Sequence, residues 1–215
     1  MDHIAHKQRK KRLLKIVCIV MGIIIFLALV SYGISWYLQK RASQEPVYDF
    51  NFYPADYSEN IFENAEYMAL ISNKFIEYTD ASMNLTLGIT RDNAIDYGAD
   101  VDFMVEYIYT VQAGEVAKYN GFFSEEYYKN NSKKESFTMQ KLYDVNITKV
   151  SAETAYDESG RMYTKYKYKV EYSIFQNNGT FRNDFNTGRK AQYIFFTNKS
   201  GEFLIDSVST PQVKR

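Results

Sequence analysis

The sequence predicts an α+β protein, in which one N-terminal transmembrane helix precedes an extracytoplasmic domain of helices packed on an antiparallel sheet. Three observations predict this class. Residues 16–38 carry no charge, apolar residues recur at helical spacing up to about residue 130, and after residue 134 the period changes to two. Helices followed by consecutive antiparallel strands favour a domain with its helices on one face of the sheet.

The N-terminal segment differs in charge from the rest of the chain. Lys+Arg and Asp+Glu are equal in number, at 26 each, but residues 1–45 are strongly basic and the remainder is therefore acidic. The uncharged run at 16–38 is long enough for a single membrane span, which needs about 20 apolar residues. Most basic residues of the segment precede this run, so the positive-inside rule places the N-terminus in the cytoplasm and the C-terminal domain outside the cell membrane.

The predicted organisation has five parts. They are a basic cytoplasmic tail at 1–15, a transmembrane helix at 16–38, a tether at 39–57, a membrane-proximal helix and connector at 58–95, and a domain at 96–210. Apolar residues at three- and four-residue spacing predict an amphipathic helix over 58–78, and a short strand is predicted at 83–89. The helix packs either on its own domain or on another subunit.

Three helices are predicted around the stretch "YIYTVQAGEVAKYNGFFSEEYY" at 107–128. An apolar stripe with acids near its start predicts the first helix. Gly114 breaks this helix, Gly121 ends a shorter second helix, and Ser124 caps a third. The stripe consists of Val101, Met104, Val105, Ile108 and Val111, and the acids are Asp100, Asp102 and Glu106.

Four strands are predicted after residue 134, at 136–150, 161–176, 190–198 and 202–209. The second alternates most strictly, with apolar and aromatic residues on one face and charged residues on the other. The first face consists of Met162, Tyr166, Tyr168, Val170, Tyr172 and Ile174. In the first strand the predicted inner side consists of Phe137, Met139, Tyr143, Val145 and Ile147.

The residue types outside the predicted membrane span exclude several kinds of catalysis. Histidine occurs only at positions 3 and 6, and the single cysteine is Cys18 within the apolar run. The predicted exterior domain therefore cannot assemble Cys-His or Ser-His-Asp catalysis, or a zinc site built on His or Cys. We expect no catalytic residue, cofactor or metal. The alternative is an enzyme whose general base is Asp102, Glu106 or Asp144 beside Tyr107 or Tyr143.

A stripe of basic residues is a candidate binding face for a polyanion or an acidic partner. It consists of Arg161, Lys165, Lys167 and Lys169. Phosphate contacts need no sequence-specific geometry, so we expect no sequence-specific nucleic acid binding. The alternative is a solvated strand face, because lysines on the outward side of strands keep sheets soluble.

The order of these elements resembles the nuclear transport factor 2-like (cystatin-like cone) superfamily. A long helix, the Gly-broken "GEVAKYNGFFSEEYY" and the following strands carry this resemblance, over about residues 96–210. It implies a curved sheet wrapped around the helices as a cone, which Gly114 and Gly121 help to shape and which Tyr and Phe side chains fill.

With its single span and basic tail, the chain also looks like the VirB-eight-like scaffold proteins of type IV secretion and their TcpC-type conjugation relatives. This resemblance implies a non-catalytic membrane scaffold of a Gram-positive secretion or conjugation channel. Such a protein self-associates as a homo-oligomer and binds other membrane channel subunits. The alternatives are a ligand-binding or regulatory domain that uses the cone pocket, and a cone-fold enzyme.

Overall fold

The fold is described from a computed structural model of the chain. Its described residues are 21, 30–31, 33–36, 54–72, 74–181, 188–199 and 201–211. The chain divides into two compact units, Met1–Glu45 and Pro46–Arg215. In the first unit the described residues are α-helical. All six strands of the structure lie in the second unit.

The predicted membrane span at 16–38 lies largely outside the described residues, as do the tail at 1–15 and most of the tether at 39–57. Among the residues that the structure does describe, no helix is both long enough and apolar enough to cross a membrane.

The second unit begins with two short helical elements. They are a 3-10 turn, Ile61–Glu63, and helix α1, Ala65–Ile71. Asn60 and Asn64 start them, because each side-chain oxygen accepts a hydrogen bond from a backbone N–H of the following turn. The prediction of one continuous helix over 58–78 is wrong. The chain leaves the helical conformation after Ile71 and forms strand β1 from Ile76.

The sheet has six strands in the order β2-β1-β3-β4-β5-β6. Their bounds are β1 Ile76–Asp80, β2 Leu85–Ile89, β3 Leu142–Tyr156, β4 Met162–Ile174, β5 Gly188–Thr197 and β6 Leu204–Ser209. The α+β class is confirmed, and so is the short strand predicted at 83–89. The prediction of a wholly antiparallel sheet is wrong, because β1 runs parallel to β3. This parallel pairing is possible because a long helical crossover lies between the two strands.

The helical crossover contains a second 3-10 turn, Ala94–Tyr97, and three helices, α2 Ala99–Ala113, α3 Val116–Gly121 and α4 Glu125–Tyr128. These three helices lie where the sequence predicts them. Gly114 ends α2 in the left-handed conformation, with φ 67°, and its N–H bonds the carbonyls of Thr110 and Val111. Ser124 caps α4 by accepting from the N–H of Tyr127.

Two irregularities in β3 change the predicted inward-facing residues. Asp144 has a positive φ of 50°, and the register with β4 shifts there and again next to Val150. Leu142, Val145 and Ile147 are therefore buried, whereas Tyr143 is only partly buried. The assignment of Tyr143 to the core side is wrong because a bulge adds a residue and reverses the alternation.

The helices pack on one face of the sheet, which we call the inner face. On β4 the inner face holds Tyr168, Val170, Tyr172 and Ile174, as the alternation predicts. Met162, at the start of the same strand, is 67% exposed because the β3–β4 hairpin extends beyond the core. The opposite side of the sheet is the outer face.

Candidate functional site

The interior of the domain is filled by aromatic rings that touch one another. Tyr119 of α3 lies at the centre, 4% exposed. Its ring centroid is 4.9 Å from that of Phe123 and 5.2 Å from that of Phe137. Tyr107 of α2 lies 5.9 Å from Tyr119 and 5.5 Å from Phe122. Centroid separations of 4.5–7 Å are favourable for aromatic pairs.

A second set of rings continues the cluster to the sheet. Phe103 of α2 lies 5.2 Å from Phe122 and 4.9 Å from Phe196 of β5. Phe196 in turn stacks on Tyr166 of β4, with an interplanar angle of 11°. We call the whole set the aromatic cluster. It consists of Phe103, Tyr107, Tyr119, Phe122, Phe123, Phe137, Tyr166, Phe181, Phe196 and Phe203.

Gly114 allows the polypeptide to bend between the two helices that carry much of this cluster. A Cβ at position 114 would lie 3.0 Å from the backbone nitrogen of Met139. Both the positive φ and this close approach require glycine there. Gly121 differs, since a Cβ at that position would meet nothing within 4 Å.

One carboxylate lies at the centre of a polar network beneath α2. Asp100, in the first turn of α2, is 7% exposed. Its Oδ2 accepts a hydrogen bond from the Tyr168 hydroxyl at 2.6 Å and pairs with Lys149 Nζ at 2.7 Å. The N-terminus of a helix also favours a negative charge. The network therefore joins α2 to β3 and β4.

Tyr168 of this network and the adjacent Tyr78 stay protonated. Burial raises the pKa of Tyr168 far above its usual value, and the nearby Asp100 raises it further. Burial is also the main cause that raises the pKa of Tyr78, and the charges of Asp80 and Asp100 raise it further. The hydrogen bond from Ser82 lowers the pKa of Asp80. A neutral tyrosine that is hydrogen-bonded to an ion-paired carboxylate stabilises the fold. This arrangement contains no free base that could abstract a proton from a substrate.

The structure places two of the three carboxylates of the enzyme hypothesis in surface ion pairs. Glu106 accepts from Arg91 Nη2 at 2.7 Å and from Lys118 Nζ at 2.6 Å. The Arg91 hydrogen bond is the main cause that lowers the pKa of Glu106 to about 2. Asp144 is exposed and pairs with Arg189 at 2.7 Å. Glu106 is therefore a poor general base near neutral pH, and Asp144 lies in an exposed ion pair.

The remaining residues of that hypothesis lie in different surroundings. Asp102 is partly exposed in the first turn of α2. Tyr107 is buried among the rings of the aromatic cluster. Tyr143 is partly buried, and its ring lies 6.5 Å from that of Phe175.

The four residues of the predicted basic stripe divide into two pairs. Lys165 and Lys167 lie over aromatic rings: Lys167 Nζ is 4.8 Å from the Tyr193 centroid, and Lys165 Nζ is 5.9 Å from that of Tyr163. Lys169 pairs with Glu171 at 3.1 Å, and Arg161 pairs with Asp157 in the β3–β4 turn at 3.2 Å. The three lysines share the outer face, whereas Arg161 precedes the strand.

Helix α1 packs on its own domain. The Tyr67 hydroxyl donates to the carbonyl of Leu142 at 2.8 Å and accepts from Gln112 Nε2 at 2.7 Å. Tyr67 is fully buried by these contacts. Of the two alternatives for residues 58–78, packing on the same domain is therefore the one observed for α1.

No cluster of three or more metal-ligating side chains occurs in the part of the chain that the structure describes. No protein-family model matches this chain, and neither a curated protein nor a solved structure is significantly similar to it. The site must therefore be interpreted from its own geometry.

Sequence reasoning placed Asp100 in the first turn of α2 but missed the network around it. A signal was present, because position 100 lies four residues before Met104 and therefore on the apolar stripe of the helix. An acid on such a stripe needs a buried partner. Lys149 and Tyr168 gave no such signal, since only the sheet register brings them to Asp100.

Proposed function

We propose that this protein is a non-catalytic, single-pass membrane scaffold whose extracytoplasmic domain self-associates and binds other subunits of a cell-envelope machine. The observation that carries the proposal is the filled interior. The aromatic cluster occupies the space between helices and sheet, and the buried Asp100 is already paired with Lys149 and hydrogen-bonded by Tyr168. Both features favour a rigid body that acts through its surface over a domain that binds or converts a small molecule.

Membrane anchoring is supported by the sequence. The uncharged run at 16–38 and the basic residues before it favour a span with residues 1–15 in the cytoplasm. A rigid exterior domain on a single membrane span is suited to a scaffold protein that holds other membrane proteins in position. We place it in a Gram-positive type IV secretion or conjugation channel, and this assignment rests on the resemblance to VirB-eight-like and TcpC-type proteins.

The fold resemblance belongs to the same proposal. A helical crossover that packs against one face of a six-stranded sheet is compatible with the cone of nuclear transport factor 2-like proteins. The bend at Gly114 brings α3 and its Tyr119 into the space between helices and sheet, which is the role that the resemblance implies for this glycine.

Cross-linking in native cells tests the proposed function. The tagged full-length chain is cross-linked in intact cells, purified, and its linked proteins are identified by mass spectrometry. We expect copies of the chain itself and integral membrane channel subunits. A matched control carries residues 1–45 fused to an unrelated exterior domain, so proteins held only by the membrane segment are subtracted. Recovery of neither class above this control, from a chain that is expressed and membrane-bound, would contradict the proposal.

A further inference from the structure

The two edges of the sheet differ in what covers them. At the β6 edge, the backbone N–H of Ile205 donates a hydrogen bond to the carbonyl of Phe122 at 2.8 Å. The carbonyl of Ile205 accepts one from the backbone N–H of Ser124 at 3.0 Å. The neighbouring Asp206 adds a charge to that edge. At the β2 edge, the backbone of Leu85–Ile89 pairs only with β1 within the described part of the chain. One edge is thus blocked and the other is open.

Within the described residues, the open edge shows none of the features that normally protect an edge strand. Residues 81–90, "ASMNLTLGIT", contain no charged residue and no proline. Soluble proteins usually protect such an edge with lysine, proline, a bulge or a covering segment, because unpaired backbone groups recruit another strand. In the register with β1, all five residues of β2 are paired without a shift. The strand is therefore regular and ready to accept a partner.

Apolar side chains extend from this edge over the inner face. Leu85 is 38% exposed, and Tyr97, in the 3-10 turn that precedes α2, is 40% exposed. The Tyr97 ring lies 6.4 Å from that of Tyr78, which is the register partner of Leu87. A strand added beside β2 would place its own inward-facing side chains next to this exposed apolar surface.

We propose that β2 is a self-association edge, where a second copy of this chain adds its own β2 antiparallel to the first. The partner is a second copy because the strand is complementary to itself. With the two-fold axis at Leu87, Leu85 faces Ile89 of the other copy on the inner face, and Thr86 faces Gly88 on the outer face. A strand without charge brings no like-charge repulsion across this axis.

The blocked β6 edge determines the size of the assembly. A sheet with two open edges could add copies without limit, whereas a two-fold contact at one open edge closes after two copies. The product is a dimer with one continuous sheet. This inference rests on the self-association contained in the proposed function, and it names the surface and the number of copies.

Disulfide trapping in intact cells tests the edge. The full-length chain carries Cys18→Ala and Leu87→Cys, so that its single cysteine lies on the proposed axis. Residues directly opposite in an antiparallel pair have Cα atoms about 4.5–5.5 Å apart, within the range that a disulfide spans. We expect a dimer band after mild oxidation. Cys18→Ala with Ser207→Cys, on the β6 edge, is the matched control and should stay monomeric.

Two further substitutions show whether the band depends on strand pairing. A Cβ at Gly88 meets nothing within 4 Å, so the monomer tolerates a side chain there. Gly88→Lys in the Leu87→Cys background should abolish the band, because it adds a charge to the edge of each copy, whereas Gly88→Ala should retain it. If Leu87→Cys lowers expression, the double variant Thr86→Cys/Gly88→Cys places opposed cysteines on the exposed outer face.

The outcomes separate this proposal from the proposed function. The same cells are treated in parallel with an amine-reactive cross-linker. A dimer with that reagent but none through position 87 overturns the β2 edge and leaves the scaffold in place. No dimer with either reagent overturns the β2 edge together with the self-association in the proposed function, whereas the binding of other subunits is tested by their own recovery. A band of different mass that contains another protein shows that the β2 edge binds a different partner. This result overturns the proposal that a second copy of the chain occupies the edge.

Discussion

The inner and outer faces of the sheet contain the same residue types but use them differently. On the inner side, Tyr119 touches rings on several sides and is almost fully buried. On the outer face, Tyr193 is partly exposed and lies beneath Lys167. Charged groups differ in the same way: Asp100 is enclosed by its partners, whereas Asp144 pairs with Arg189 in solvent.

This difference supports the proposal that the domain acts through its surface. Buried rings and a buried ion pair make a rigid interior with little freedom to adapt to a ligand. The outer face and the open β2 edge are accessible, and small changes there alter contacts without unfolding the domain. The predictions below compare matched changes on the two sides, beginning with the largest expected effect.

Truncation of a tyrosine should separate the two faces most clearly. We expect Tyr119→Ala to lower the free energy of unfolding by about 3–5 kcal/mol, because it leaves a cavity among the rings it touches. Tyr193→Ala on the outer face should lower it by about 1 kcal/mol or less. Urea unfolding followed by circular dichroism measures both values. Similar losses for the two variants would show that the interior is not selectively packed.

Removal of a charge should distinguish the two ion pairs. Asp100→Asn keeps an acceptor for Tyr168 but leaves Lys149 without its counter-ion in a largely buried place. We expect a loss of about 2–3 kcal/mol in unfolding free energy. Asp144→Asn removes an exposed pair and should cost less than about 1 kcal/mol. The same unfolding experiment compares them, and a larger effect at Asp144 would refute the structural role of the network.

The two glycines of the helical region should respond in opposite directions. Gly114→Ala forces a left-handed conformation and a contact with the Met139 backbone, so we expect a loss of about 1–3 kcal/mol. Position 121 is helical and has open space around it. We therefore expect Gly121→Ala to leave the free energy of unfolding unchanged or to raise it by up to about 1 kcal/mol. Thermal unfolding distinguishes these results. A tolerated Gly114→Ala would mean that the bend between α2 and α3 does not depend on glycine.

Acid should weaken the ion pair of Glu106 on the solvent side of α2. Its pKa of about 2 lies below the usual value of 4.5 for a glutamate, so its contribution is complete above about pH 4.5 and is lost as the pH falls toward 2. We expect Glu106→Gln to remove about 1–2 kcal/mol at pH 7, allowing for solvent screening. Near pH 2 the variant and the wild type should converge. A constant difference across this pH range would contradict the assignment.

Local patterns predicted the helices α2 to α4 and most of the later strands. The stripe of α2, the glycine at 114 and the cap at Ser124 are signals that the nearby residues provide on their own. The strand β1 was missed because Phe75 and Ile76 also continue the helical spacing of the preceding residues. Its parallel pairing with β3 joins residues about 70 positions apart, and no local pattern encodes such a pairing.

The candidate site was less predictable than the fold. The aromatic filling followed from the residues at 107–128, but the network of Asp100 depends on contacts between α2, β3 and β4. The bulge at Asp144 reversed the faces of the preceding residues and removed Tyr143 from the core. Neither the open β2 edge nor the blocked β6 edge could be inferred before the strand order was known.

The claim that this protein acts through its surface and not through its interior is tested most directly by cross-linking two variants in native cells. Phe123→Leu changes the aromatic cluster but keeps an apolar side chain, and Gly88→Lys changes only the open edge. We predict that Phe123→Leu recovers the same linked proteins as the wild type, whereas Gly88→Lys loses the link to a second copy. A folded Phe123→Leu protein that loses its partners, beside a Gly88→Lys protein that keeps all of them, would contradict the account.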